Sequence, residues 1–482
     1  MSEAPGQPPA KPRQPPAKTG RSPVADRRTP APGPARGSAR PARGGRRAAR
    51  RTVAALAALL VVTTAAGVWV YRDLQGNIRS ADVDNKIGDD RPPNMSPGSK
   101  NILVVGSDSR AGANAEYGRG LTTMQSDTLM VLHLAANREW ATVVSFPRDS
   151  WVRVPACDRG DGSTSGPHHA KINEAFAIGG TTGEVEGAAA CAIKTVEQNT
   201  GLRIDHFMSV DFQGFKGMVN ALDGMEVCPR AAIRDEKARL DIPAGCQTVR
   251  DEDALGYVRA RYGVGDGSDL GRIGRQQEFM RALADRAQEK LTSPGAMYGL
   301  LESATKSLTT DKALAGIQPL YGLASRLKAI PPGRLTFVTV PNYPRSMDVP
   351  SDTANVVWRY PETADLFTAL ARDREVREES VAAAGEDPLY ASAIRVRVLN
   401  GTGTPGLAGE VARSLRLAGF TITGTGNAPA AVARTSVTHP AGLARQARAL
   451  ASRLPGTTVS QSADAPEGLV TLTVGNGFDG MP

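Results

Sequence analysis

A chain of 482 residues, 40% of them apolar, is long enough for two or three domains with ordinary cores, which excludes a protein disordered throughout. Its formal charge of +9 averages two unlike parts: residues 1–51 carry thirteen Lys/Arg against Glu3 and Asp26, a net of +11, leaving −2 for the remainder. The basicity belongs to a tail, so the rest gives no electrostatic reason to expect a nucleic-acid partner.

That tail is Pro, Ala, Gly and Arg without an aromatic residue, and is expected to stay disordered (1–51). "TVAALAALLVVTTAAGVWVY", residues 52–71, contains no charge, and at ~1.5 Å per residue it would cross the ~30 Å hydrocarbon layer as one transmembrane helix. Arg46, Arg47, Arg50 and Arg51 crowd its start, and Trp69 and Tyr71 mark its far end, which predicts a cytoplasmic N-terminus and an extracytoplasmic remainder. The apolar run is too long, and the basic region before it too extended, for a cleaved signal peptide. Residues 72–99 are polar, end in "RPPNMSPGS", and read as a stalk.

From residue 100 the pattern turns globular. "NILVVG", "DTLMVLHL" and "WATVVSF" read as three strands of an antiparallel meander, the last two joined by "AANRE". In a meander strand ends alternate sides, which would bring Asp108, Asp127 and Arg148 to one edge. Further strands are expected at "MSVDF", "MEVC" and "RLTFVTVP", with helices around 172–178, 187–199 and 272–291. This predicts an α/β domain, a central mixed, largely antiparallel sheet covered by helices, over residues 100–375. A charged, Ala-rich linker (376–391) leads to a small C-terminal α/β domain (392–476). There "IRVRVLN", "TITGTG" and "LVTLTVG" alternate with the helical stretches "LAGEVARSLRLAGF" and "PAGLARQARALASRL". Gly401, Gly403 and Gly406 form a GxGxxG, but no acidic residue ends the second strand to take a ribose, so they are expected only to turn a strand into a helix.

All four cysteines fall in the outer part, where disulfides persist, and the short loops favour Cys157 with Cys191 and Cys228 with Cys246. His168 and His169 lack catalytic company, since neither GxSxG nor HExxH occurs, and no GxxxxGK[ST] run offers a phosphate loop. The chemistry lies elsewhere. "DLGRIGRQQEF" sets Arg272 and Arg275 in the expected first turn of a helix, where exposed N–H groups already carry positive charge. The apolar stripe from Ile273 to Leu291 turns Arg272 and Gln276 to another face, and together these features make an anion site suited to phosphate. Two carboxylates without histidine, Asp108 and Asp127, suit Mg²⁺.

"GSDSR", "SDTLMVLHL", "VSFPRDSWVRVP", "KINEAFAIGG", "DHFMSVDFQGF" and "DLGRIGRQQEF", in this order, resemble the LytR-CpsA-Psr family of cell-wall enzymes over residues 100–290, and more loosely to about 375. "VRVLNGTGTPGLAGEVA" onward looks like the LytR C-terminal domain of actinobacterial members. The resemblance implies Mg²⁺-assisted transfer of a phosphate-linked glycopolymer from a polyprenyl pyrophosphate carrier to a peptidoglycan hydroxyl. Matched by motif, it puts Asp108 and Asp127 on the metal. It puts Arg148, Arg261, Arg272 and Gln276 on the phosphates, with Arg110, Arg259 and Arg275 in support and Asp269 orienting an arginine or acting as base. The insertion "ACDRGDGSTSGPHH" departs from the family pattern at the acceptor-side rim. Two rivals share the basic pocket or the tail: a non-catalytic receptor for anionic wall polymers, and a membrane-tethered regulator, for which the tail is too disordered to build a helix-turn-helix.

Overall fold

The computed structural model describes residues 43–107, 124, 126–260, 269–290, 294–331, 333–383, 388–478 and 480. Two compact units result, one ending at Ala65 and one running from Ala66. Helix α1 (Arg43–Asn77) contains the stretch Arg50–Asn77, long and apolar enough to cross a membrane. Val53, Leu56, Leu59, Leu60 and Val61 are all exposed on it, an arrangement that water disfavours and lipid tolerates.

The chain then enters the fold at once. β1 (Arg79–Ala81) is the edge strand of the main sheet, and α2 (Asp84–Ile87) follows, so that Ala81, Val83 and Ile87 join the core. The stalk expected over 72–99 is therefore corrected: Arg91 donates to the buried Glu197 and to the Ile204 carbonyl. The polar composition that suggested a stalk includes groups paired with distant parts of the chain, as Arg91 is.

β2 (Lys100–Ser107), β3 (Ser126–Leu134) and β4 (Ala141–Phe146) form the expected antiparallel meander. Next come a hairpin of β5 (Trp151–Val154) and β6 (His168–Lys171), then α3 (Glu174–Gly179) and α4 (Val185–Thr200). β7 (His206–Val210) pairs parallel with β2. "MSVDF" ends as strand at Val210, because Asp211 caps α5 (Phe212–Ala221) by accepting from the Gly214 amide at 2.8 Å.

Two small antiparallel pairs follow: β8 (Met225–Val227) and, further on, β11 (Gln247–Val249) form one, and between them β9 (Ile233–Asp235) and β10 (Leu240–Ile242) form the other. They lead to α6 (Asp251–Arg259), α7 (Asp269–Lys290) and α8 (Pro294–Ser307). β12 (Leu308–Asp311) slots between β1 and β7, α9 (Ile317–Ala329) crosses, and β13 (Leu335–Thr339) closes the far edge parallel to β4. The order β1-β12-β7-β2-β3-β4-β13 makes the mixed sheet. Both faces are covered, which is why "NILVVG" is a continuous apolar run: Leu103 and Val105 face the cluster with α4, Ile102 and Val104 the cluster with α9.

β14 (Asn342–Pro344) and β15 (Val356–Trp358) pair beside the hairpin, followed by α10 (Glu362–Ala371) and α11 (Glu378–Ala383), the latter inside the expected linker. The C-terminal domain holds β16 (Arg395–Asn400), α12 (Leu407–Leu417), β17 (Thr421–Asn427), β18 (Ser436–His439), α13 (Ala444–Ala451), β19 (Thr458–Gln461) and β20 (Val470–Val474). Its sheet runs β17-β16-β20-β18-β19, with β18 and β19 beyond the three strands expected. Gly406 begins α12 at φ +80°, so it makes the strand-to-helix turn assigned to it. Both disulfides, Cys157–Cys191 and Cys228–Cys246, are formed.

Candidate functional site

One end of the main sheet gathers the C-terminal ends of β2 and β7 and the start of β3, because β2 runs parallel to β7 and antiparallel to β3. Asp127 sits there, and the chain leaving β4 brings Arg148 to the same end, its Nη1 3.9 Å from Asp127 Oδ1. The expected shared edge thus holds for this pair, while Asp108, Arg110 and Arg261 lie outside the described residues. Asp269 is the first residue of α7, and its side chain is likewise outside them.

Two cavities lie on either side of the Asp127–Arg148 contact, Asp127 lining one and Arg148 the other. The first, of about 130 Å³, lies between the sheet and α5, α6 and α7. Its lining is overwhelmingly apolar, with Val104, Met130, Phe215, Met218, Leu255, Met280 and Leu283 among its residues, and Asp127, Asp211, Arg259 and Gln276 supply its charged and amide groups. The second, of about 590 Å³, is open and polar, lined by Arg148, Asp149, Arg159, Lys171, Asn173 and Glu174 among others. A long apolar chain suits the first and a hydrated, charged group the second.

The arginines of α6 and α7 are held in different ways. Arg259, at the end of α6, lies over the Phe212 ring at 4.6 Å, a cation–π contact that fixes it at the cavity lining. Arg272 is buried, 4% exposed, on the first turns of α7. There its guanidinium adds to the positive field of the exposed helix N–H groups, the setting in which anions bind. Gln276 lines the apolar cavity and donates to the Val258 carbonyl at 2.9 Å, and Arg275 donates to the Ala260 carbonyl. These two bonds clamp the C-terminal end of α6 to α7 and so align Arg259 with the Arg272 face.

The sequence left three participants unnamed. Asp149 links Arg148 to Lys171: its Oδ2 lies 3.5 Å from Arg148 Nε and its Oδ1 accepts from Lys171 Nζ at 2.7 Å. Asn173, 8% exposed, keeps its buried Oδ1 without a hydrogen-bond partner among the described residues. Lys171 and Asn173 stand in "KINEAF", so a motif carried the signal, but only the folded hairpin shows them beside Arg148. Arg159, from the insertion that left the rim open in sequence, lines the same open cavity.

The donor set also suits a hard cation. Asp127, about one-third exposed, presents carboxylate oxygen at the cavity lining with Arg148 as its ion partner at 3.9 Å, a separation too long for a tight pair.

Comparison with known proteins agrees with this architecture. The LytR_cpsA_psr family model matches residues 70–368, and a second model, LytR_C, described as LytR cell envelope-related transcriptional attenuator, matches residues 393–478. The chain is 30% identical over 415 residues (79% of this chain, 76% of the relative) to the Cell wall biosynthesis protein LcpA of Corynebacterium glutamicum. It is 26% identical over 298 residues (59% of this chain, 84% of the relative) to the Polyisoprenyl-teichoic acid--peptidoglycan teichoic acid transferase TagT of Bacillus subtilis. A solved structure, a LytR-Csp2A-Psr enzyme from Actinomyces oris, is 19% identical and aligns over 61% of this chain and 96% of its own with a TM-score of 0.47.

Proposed function

From the premise that this chain belongs to the LytR_cpsA_psr family, we propose that it is a membrane-anchored phosphotransferase that moves a phosphate-linked cell-wall glycopolymer from a polyprenyl pyrophosphate carrier to a hydroxyl of peptidoglycan. The observation that carries this reading is the junction of cavities. An apolar space between sheet and helices carries Asp127, Asp211, Arg259 and Gln276 on its lining, and across the Asp127–Arg148 contact lies an open polar cavity. A prenyl tail fits the first, the pyrophosphate the junction, the acceptor sugar the second.

The chemistry asks little covalent work of the protein. The acceptor oxygen attacks the phosphorus that carries the glycan, the bond to the bridging oxygen breaks, and polyprenyl monophosphate leaves. Catalysis is in-line positioning and cancellation of charge on the phosphate oxygens. Arg148, Arg272 and Gln276, with Arg261, grip those oxygens, and Arg110, Arg259 and Arg275 add positive field or hold the others in place. Lys171 and Asn173 orient the acceptor from the open side. Asp269 either takes the hydroxyl proton or orients an arginine. Asp127 together with Asp108 would hold Mg²⁺, which would supply positive charge against the pyrophosphate.

The anchor is α1. The arginines before its apolar stretch favour a cytoplasmic N-terminus, which puts both disulfides and the cavities in the extracytoplasmic, oxidising space.

The test uses the full chain in detergent, a short-prenyl pyrophosphate saccharide and peptidoglycan fragments. Stoichiometric formation of prenyl monophosphate and of the saccharide-bearing fragment, abolished by EDTA and restored by Mg²⁺, is the expected result. Tight binding of the donor with no monophosphate released would replace the transferase by a receptor for such polymers.

A further inference from the structure

The β5–β6 hairpin connects the open cavity to the C-terminal domain. Trp151 pairs in register with Lys171 across the ladder and stacks on His169, ring centroids 6.2 Å apart. Over the Trp151 ring, at 4.9 Å, lies the guanidinium of Arg345, from the short helical turn Arg345–Met347. Arg345 is 7% exposed, and its donors are used up in both directions: Nη1 bonds Asp352, and Nη2 bonds the backbone carbonyl of Leu417, the last residue of α12.

That carbonyl belongs to the C-terminal domain and to a helix terminus, where unpaired carbonyls carry partial negative charge and seek a cation. The same seam is built closely. Gly419 has φ +94°, and a Cβ there would lie 2.6 Å from the Cβ of Asp348, whose carboxylate accepts from the Ser392 amide at 2.9 Å and from the Tyr343 hydroxyl at 2.6 Å. Without the C-terminal domain, Nη2 of Arg345 would lose this acceptor and the guanidinium would be drawn from its place over Trp151 toward water.

From Trp151 the connection runs back to the site through backbone. The Val356 amide donates to the Asp149 carbonyl at 3.0 Å, the Ile172 amide to the Ser150 carbonyl at 2.9 Å, and the Asn173 amide to the Arg148 carbonyl at 3.4 Å. Trp358 Nε1 donates to the buried Ser150 hydroxyl at 2.9 Å, and the Arg345 amide donates to the Asn355 carbonyl at 2.9 Å. Residues 148–150 are therefore laced to the chain just after β6 and to β15, and Arg345 holds the next residue, Trp151, and the chain just before β15.

We propose that the C-terminal domain acts in cis as a positioning element: it holds Arg345 over Trp151, and Arg345 in turn sets the backbone that presents Arg148, Asp149 and Lys171. This rests on the transfer site described above for its consequence in turnover, but not for its structural content. Arg345 is a positioning residue and touches no reacting atom.

The experiment takes the full chain with Arg345→Met, with Arg345→Lys and with Gly419→Ala, which perturbs the seam without touching Arg345 or the hairpin. Hydrogen exchange is read at the amides of Ile172, Asn173 and Val356, with the Val131 amide of the central sheet as reference. Arg345→Met should speed exchange at the three amides about tenfold and leave Val131 unchanged, as loss of a desolvated cation–π contact would. It should lower kcat about tenfold with a smaller change in KM for the donor, since misplaced groups lose rate first. Gly419→Ala should shift the same amides in the same direction, and Arg345→Lys should recover part of both effects. Unchanged exchange at the three amides in both Arg345→Met and Gly419→Ala overturns the proposal. Faster exchange in a protein whose unaltered form transfers nothing supports the positioning and refutes the transferase instead.

Discussion

Arg148→Ala isolates the junction between the cavities. Arg148 is 21% exposed, 3.9 Å from Asp127 and 3.5 Å from Asp149. At that range two unit charges interact by about 4 kcal/mol at an effective dielectric of 20, but partial exposure and screening reduce what such pairs add to folding to about 1 kcal/mol or less. Asp149 also keeps Lys171 at 2.7 Å, and Asp127, which loses its cation, is about one-third exposed and stays solvated. The fold should hold, with melting lowered by no more than about 4 °C. Turnover is another matter: one preorganised donor aimed at developing phosphate charge contributes ~2.7 to 4 kcal/mol at the transition state, so transfer should slow by ~100-fold or more. Release of prenyl monophosphate, measured beside thermal melting of the same preparation, reads both quantities. Near-normal turnover in a folded variant would refute the assignment of Arg148, and collapse of the fold would refute the claim that its role is chemical.

Further outcomes follow from other parts of the molecule. Arg91→Ala leaves Glu197, 3% exposed, without its cation, and should cost about 3 to 5 kcal/mol, read as a lower denaturation midpoint, while Glu197 and Arg91 replaced together by Gln and Met should cost less. Leu283→Trp places a larger side chain into the apolar cavity, and should raise KM for a long-prenyl donor about tenfold while sparing a very short one, as expected for lost apolar space. Burial pushes the Asp311 carboxyl up, but the His206 ring 3.3 Å away and the hydrogen bonds from the Phe207 and Leu314 amides outweigh it and hold the group below its ordinary value. The unfolded chain then takes up the proton first as pH falls, so the stability Asp311 confers is complete above about pH 4 and drains below it. Asp311→Asn should flatten the melting temperature between pH 5 and 3, at some cost at neutral pH; an unchanged slope would remove this account.

The meander, the main helices and the pairing of the cysteines were legible because each is a local signal: alternation or continuous apolar runs for the strands, and short closed loops for the bridges. Asp127 and Arg148 were legible as neighbours because antiparallel connectivity alone fixes which strand ends share a side. Residues 79–99 were misread since β1 is three residues long and its partner, β12, lies more than 200 positions away, a pairing no window of sequence contains. β18 and β19 escaped for a like reason, as four-residue strands whose alternation is too brief to count. Asp149 and Lys171 were in plain view within motifs, yet only the hairpin register converts a spacing of twenty-two positions into an ion pair. Arg275 shows the opposite case: a guanidinium that looked aimed at a ligand spends a donor on the carbonyl of Ala260.

The bond between Cys157 and Cys191 ties the loop that carries Arg159 to helix α4, and beyond it the loop is fastened by a serine hydroxyl on a backbone amide and by the salt link from Lys86 to Asp158. Cytoplasmic thiol buffers would keep both sulfurs reduced. On the topology proposed above, the rim of the open cavity is fixed only once the chain reaches an oxidising space, and until then it is held by those two weaker links alone.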